Sequence, residues 1–367
     1  TRLIHRSLGH VAAALAELTQ ARRPHRFATA WLALALLGLL SASLPGLARA
    51  QSPELAMRDF SSGQIKKGVR SIGFGGDGAT WGNYSLVWKD AGTALADYGD
   101  TSYTNDNDFH FVALGATTPS LWHGLAIYVI AMTEHTNNIQ LSLKAFGFGN
   151  APVPMVGNGT DDAVFAKIAM PLGHGISAGI LLSHETSHFD ATSVAAPPQG
   201  VQYSTAWRPS GGLGVSWQPS KTVLFGFRVL LNNDRETRAD PAGTSEGLAR
   251  SYEFRLGGSL IPWEGALIDL GGTRLEKRNT IAGTHTITYE PNVGFEQAFA
   301  QRHLTLRVGV DETSPTAGAT IRFAPLNVDI AYVRNMARAR VGELFGDQSN
   351  SVLVTVTVDY EALWKGR

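Results

Sequence analysis

From about Asp108 to Tyr360 apolar and polar residues alternate with period two, in runs of roughly ten residues, which is the signature of half-buried β-strands. In residues 302–311, Leu304, Leu306, Val308 and Val310 share one face while His303, Thr305, Arg307, Gly309 and Asp311 share the other. The last run opposes Val352, Val354, Val356, Val358 and Tyr360 to Leu353, Thr355, Thr357 and Asp359. Short turn signals join the runs at 171–173, 218–220, 262–264, 300–301 and Pro325. Longer polar stretches fall between those hairpins, at about 134–160, 187–200, 232–248, 277–284 and 338–350. Tight turns at one end and long loops at the other predict a membrane-spanning antiparallel barrel. A soluble sandwich would alternate in the same way, but charges recur on the polar face of strand after strand, and a barrel turns them toward its lumen. The expected fold class is therefore all-β, a transmembrane antiparallel β-barrel of about 14 strands (12–14), with runs beginning near 80–88, 107–117 and 121–133 and ending at 350–360.

The N-terminal region reads differently. Arg22, Arg23, His25 and Arg26 precede an apolar run from Ala28 to Leu40, and Ala48-Arg49-Ala50 has the form of a secretory cleavage site. Residues 1–50 read as a signal peptide with an upstream extension, 51–106 as a Gly-rich segment able to plug the lumen, 107–360 as the barrel and 361–367 as a tail. Export and a barrel together place the protein in the cell outer membrane of a Gram-negative-type envelope. With 31 basic against 31 acidic side chains there is no electrostatic footprint for nucleic acid. With no Cys there is no disulfide framework, thiolate metal site or Cys nucleophile. Forty glycines in 367 residues suit a β-rich chain.

Residues 68–79, reading G-V-R-S-I-G-F-G-G-D-G-A, resemble the Gly-rich N-terminal segment of the long-chain fatty acid transporter (FadL-like) family. The resemblance implies a fourteen-stranded barrel plugged by an N-terminal hatch, through which hydrophobic molecules pass from an outer binding site by way of a lateral opening. It makes Arg70, Gly73, Gly75, Gly76 and Gly78 plug residues. The Asn-Pro-Ala turn of the family pattern is replaced here by Ala91 to Asp97.

Other motifs point to no covalent chemistry. His184-Glu185-Thr186-Ser187-His188 matches H-E-x-x-H, which binds zinc only on a helix; here it continues a strand, where His184 and His188 sit roughly 13 Å apart. No G-x-S-x-G elbow occurs. No catalytic residue, metal ligand or cofactor is expected. Arg228, Glu253, Arg255, Asp269, Glu290, Glu296, Arg307, Asp311, Arg322, Asp329 and Asp359 all fall on the polar strand face and are expected to line the lumen, either paired to brace the wall or a plug, because unpaired charges there are costly, or lining a hydrated ion path. Phe146, Phe148, Val153, Met155 and Val156 form an apolar group in an outer loop and are candidate ligand-capture residues. Trp122, Trp217, Trp263, Tyr289 and Tyr332 lie at run ends, where aromatic girdles sit. The expected function is outer-membrane transport of hydrophobic small molecules, with a diffusion porin or a structural barrel as alternatives. Expected partners are membrane lipid and lipopolysaccharide, a hydrophobic ligand and the barrel-assembly machinery.

Overall fold

The computed structural model describes residues 83–103, 108–142, 154–193, 200–206, 210–240, 243–281, 283–311, 314–334 and 349–360. The expected signal segment, the expected plug residues Arg70, Gly73, Gly75, Gly76 and Gly78, and the candidate capture residues Phe146, Phe148 and Val153 lie outside them.

Period-two alternation becomes strand throughout: β1 (Thr93–Tyr103), β2 (Asp108–Thr117), β3 (Ala126–Ser142), β4 (Pro154–Gly173), β5 (Ile176–Ser193), β6 (Gly200–Ala206), β7 (Ser210–Ser220), β8 (Val223–Asp240), β9 (Gly243–Leu260), β10 (Ala266–Asn279), β11 (Thr284–Phe299), β12 (Leu304–Asp311), β13 (Ser314–Phe323), β14 (Leu326–Arg334) and β15 (Ser349–Asp359). All pairs are antiparallel, and β15 returns to pair with β1 from Thr93↔Asp359 to Tyr103↔Ser349, closing the sheet. β6 and β7 share one position in the wall, since both pair with β5 and β8. Fifteen strands thus make a fourteen-stave barrel, as the alternation predicts. Closure leaves no sheet edge, which the hydrocarbon region of a bilayer requires.

The barrel is inside-out relative to a soluble protein. Leu114, Leu213, Leu256 and Leu270 are each more than half exposed, whereas Arg228, Arg307 and Lys277 are buried. Water cannot be the solvent of a wall studded with such side chains; lipid is. On β11, Tyr289 near the loop end and Gln297 near the turn end are eight residues apart. That is roughly 26 Å along a strand, or about 20 Å across the membrane at a tilt of ~40°. Trp263 Nε1 donates to Gln297 Oε1 at 2.9 Å, and Trp217 stacks on Phe225 at 5.8 Å between centroids, so both tryptophans mark the turn-side interface.

Two expected boundaries change. The wall begins at Thr93, earlier than residue 107, because Thr93–Tyr103 is the stave that closes the barrel. The run expected as a strand at 80–88 is a 3₁₀ segment, Tyr84–Asp90. The ladders also climb past the expected loop limits: β8 and β9 stay paired up to Asp240↔Gly243. Their upper parts are polar on both faces, with Asn233, Arg235 and Thr237 opposed to Asp234, Glu236 and Arg238, so hydrophobic alternation stops where the membrane stops while backbone pairing continues. At the turn end, Gly175 has φ +75° and a Cβ there would strike the Gln218 carbonyl, so the β4–β5 turn demands glycine.

Candidate functional site: the lumen and its N-terminal segment

Inward positions follow from strand parity, and their chemistry divides the lumen into two sectors. On β8 to β14 it is charged. Arg228 Nη2 lies 3.0 Å and Arg255 Nε 2.6 Å from the same Glu253 oxygen, Oε1. Arg307 joins two strands, with Nε 2.7 Å from Glu296 Oε2 and Nη1 3.2 Å from Asp329 Oδ1; Thr320 donates to Asp329 and is bonded by Arg307. Ser259 donates to Asp269, and Asn279 Nδ2 donates to Glu236 Oε2 at 2.6 Å. Arg228 and Arg307 meet carboxylates of other staves and Arg255 meets Glu253 on its own strand, as low dielectric requires.

Of the residues expected to line the lumen, Arg228, Glu253, Arg255, Asp269, Glu290, Glu296, Arg307 and Asp329 are buried or half-buried at inward positions. Arg322 and Asp359 are half-buried nearer the turn end, and Asp311 ends β12 opposite Asn292 and Ser314. Of the candidate capture residues, only Met155 and Val156 lie among the described residues. Met155 and Val156 stand in β4, paired with Leu141 and Gln140 of β3, and Val156 is exposed on the outward face. His184 and His188 are outward and exposed while Glu185 takes the inward position between them. The strand thus sets the glutamate of the H-E-x-x-H string on the opposite face from its histidines.

The other sector is apolar. Phe111 on β2, Tyr128, Ile130 and Met132 on β3, Phe165 on β4 and Leu181 on β5 face inward and form one buried cluster. Asp97, Glu134 and Asp161 interrupt it, and Lys167 Nζ lies 5.0 Å from the centre of the Tyr128 ring. Sequence reasoning assigned the inward face to polar residues and passed over these positions. Their signal is the loss of alternation: 125–132 reads L-A-I-Y-V-I-A-M, apolar on both faces. A strand that is oily toward lipid and oily toward the lumen has no period to detect.

The 3₁₀ segment Tyr84–Asp90 lies against β3, β4, β5 and β7, inside the wall. Asn83 fixes it. Its Oδ1 accepts from Ser85 N at 3.0 Å, capping the segment, while Nδ2 donates to the carbonyls of Val215 at 3.1 Å and Phe227 at 3.0 Å. Ser85 Oγ meets Ser216 Oγ at 2.9 Å, and Lys89 Nζ reaches Gln218 Oε1 at 3.4 Å. A side chain at Gly214 would collide with Asn83 Oδ1, so the glycine admits the segment to the wall. Val87 is buried within the apolar cluster, so the segment covers part of the oily sector from within.

A closed, inside-out antiparallel barrel with charged side chains in its lumen and tight turns at one end is an outer-membrane β-barrel. No protein-family model matches the chain, and no curated protein matches it in sequence. Among solved structures it is similar to a Pseudomonas aeruginosa FadL homologue, with a TM-score of 0.52 and 12% identity over 86% of this chain and 100% of that one. It is also similar to the CymD monoaromatic hydrocarbon channel, with a TM-score of 0.50 and 12% identity over 78% of this chain and 95% of that one. The fold is that of the FadL-type barrels, as the Gly-rich segment and strand count imply.

Proposed function

We propose that the protein is a plugged outer-membrane channel for hydrophobic small molecules, of the fatty acid or hydrocarbon class, which travel along the inward apolar sector of β2–β5. The observation that carries this reading is the oily cluster facing the lumen, with Val87 of the N-terminal segment packed into it. A pore for polar solutes has no use for Phe111, Ile130, Met132 and Phe165 on its inner wall, whereas an apolar guest gains about 25 cal/mol for every Å² it buries against them. The paired charges of the opposite sector brace the wall and offer no single-sign ring to select an ion. No covalent step is involved: the guest enters at the loop end, where Phe146, Phe148, Val153, Met155 and Val156 are candidate capture residues, and moves when the N-terminal segment shifts. The Gly-rich residues 70–78 continue that plug, residues 1–50 direct export, and β15 is the strand the barrel-assembly machinery would engage. The CymD monoaromatic hydrocarbon channel, which is similar in fold, supports the reading.

The chain has no cysteine, so single thiols can be placed at will. A bimane label on Met132→Cys, inside, and on Val112→Cys, outside, is titrated with brominated fatty acid in nanodiscs. Saturable quenching is expected at residue 132 against linear, partition-driven quenching at 112; linear quenching at both would remove the lumenal binding path.

A further inference from the structure

The outward face of β8–β11 carries a feature that passage through the lumen does not use. Register aligns its outward side chains in rows rising from mid-membrane toward the loop end: Phe227, Leu256, Gly272 and Pro291; then Val229, Phe254, Arg274 and Tyr289; then Leu231, Tyr252, Glu276 and Ile287; then Asn233, Arg250, Arg278 and His285. The first two rows enclose a groove of about 480 Å³, walled by Phe227, Phe254, Leu256, Tyr289 and Pro291. Its dip lies at Gly272, where a Cβ would meet nothing nearer than 3.8 Å. Arg274 stands at its upper end, its guanidinium 5.6 Å from the centre of the Phe254 ring.

Above the groove a single carboxylate gathers the cations. Glu276 is held by Arg274 Nη2 at 2.9 Å, by Arg278 Nη2 at 2.8 Å and by His285 Nε2 at 3.1 Å. Arg250 stands one strand away, directly across from Arg278, with its Nε on Asn233 Oδ1. Three arginines against one glutamate leave a net charge of +2 on the patch with His285 neutral. The side chain of Arg278 is 58% exposed and that of Arg274 36%, so both guanidinia keep open edges, while Glu276 beneath them is only 13% exposed. Glu276 thus fans the arginines outward at the height where the wall changes from apolar to polar.

We propose that this face is a binding site for a phosphorylated glycolipid of the outer leaflet, lipopolysaccharide through its lipid A. An acyl chain occupies the groove beside Gly272, and the lipid A phosphates take the open edges of Arg250, Arg274 and Arg278. Charge complementarity selects this occupant. An uncharged tail satisfies only the groove, whereas the excess cations need an anion at the headgroup level, on the side of the barrel with the long loops, which in outer-membrane barrels is the cell exterior. Arginine suits the task because its planar fork takes phosphate oxygens two at a time. Gly272 keeps the floor low enough for a chain to lie flush with the wall.

The test uses the full-length mature protein in detergent, titrated with purified diphosphoryl lipid A and read by native mass spectrometry. Dephosphorylated lipid A and phosphatidylglycerol serve as competitors, and heat-modifiable gel mobility reports the fold of every variant. Arg274→Gln with Arg278→Gln is expected to weaken lipid A binding by about tenfold or more, equivalent to about 1.4 kcal/mol. Glu276→Gln, which frees both arginines, is expected to keep or tighten binding. Gly272→Leu, which the open space accommodates, is expected to weaken binding of lipid A with or without its phosphates. Equal affinity of wild type and the double arginine variant overturns the site, as does equal competition by phosphatidylglycerol, which would mark a generic anionic surface.

Discussion

Asn83→Ala tests whether the N-terminal segment is seated in the wall. The substitution removes two hydrogen bonds from Nδ2 to the Val215 and Phe227 carbonyls and the Oδ1 cap on Ser85 N. Two neutral hydrogen bonds are worth about 1–3 kcal/mol together, and an N-cap adds about 1 kcal/mol. The docked state should therefore lose about 2–4 kcal/mol, shifting the docked-to-released equilibrium by about 30- to 700-fold. Reconstituted in a planar bilayer, the intact protein is expected to be silent or rarely open, and Asn83→Ala to open far more often with unchanged unit conductance. Gly214→Ala should reproduce the effect from the opposite side, because its methyl group occupies the space of Asn83 Oδ1. Folded variants that open no more often than the parent protein would refute the claim that this docking holds the barrel shut.

Four further outcomes follow from the wall itself. Arg307→Met strips the shared cation from Glu296 and Asp329 and should cost about 3–5 kcal/mol, read as a fall in the urea midpoint of unfolding in liposomes. Leu114→Arg, on the lipid-facing surface, should cost about 2–4 kcal/mol in the same assay. His188→Lys, on the same outward face but in the polar upper part of β5, should cost at most about 1 kcal/mol; a cost as large as that of Leu114→Arg would misplace the membrane band. Gly99→Ala should also destabilise, by about 1–3 kcal/mol, because its methyl would enter the Phe111 ring across the β1–β2 pair.

The wall was legible wherever one face met lipid and the other met lumenal charge. β8 through β15 read directly from alternation, and Arg228, Glu253, Arg255, Glu296, Arg307 and Asp329 took their inward places because parity alone decides them. The closing stave β1 was hidden by its composition, T-A-L-A-D-Y-G-D-T-S-Y, whose outward alanines and lumenal Gly99 blunt the contrast between faces. The upper parts of β8 and β9 read as loops for the opposite reason, being largely polar on both sides. The oily lumenal sector went unread because its partner face is oily too. Asn83 carries no pattern at all: its role depends on carbonyls at residues 215 and 227, more than a hundred positions away. The cation fan on β10 was equally silent, since Arg274, Glu276 and Arg278 look in sequence like another polar strand face until their outward direction is fixed.

The proposed function routes apolar guests along the lumenal face of β2–β5. Its most direct test is the rate at which proteoliposomes take up a labelled long-chain fatty acid and a labelled aromatic hydrocarbon, compared between the parent protein and Phe165→Asp, with Leu114→Ser on the opposite face as the control. The inward carboxylate is expected to slow uptake by about tenfold or more, since passing it exposes the guest to a buried charge, and the outward serine to leave the rate unchanged. Equal uptake by all three proteins, or parent proteoliposomes that admit small sugars and no lipid, would contradict it.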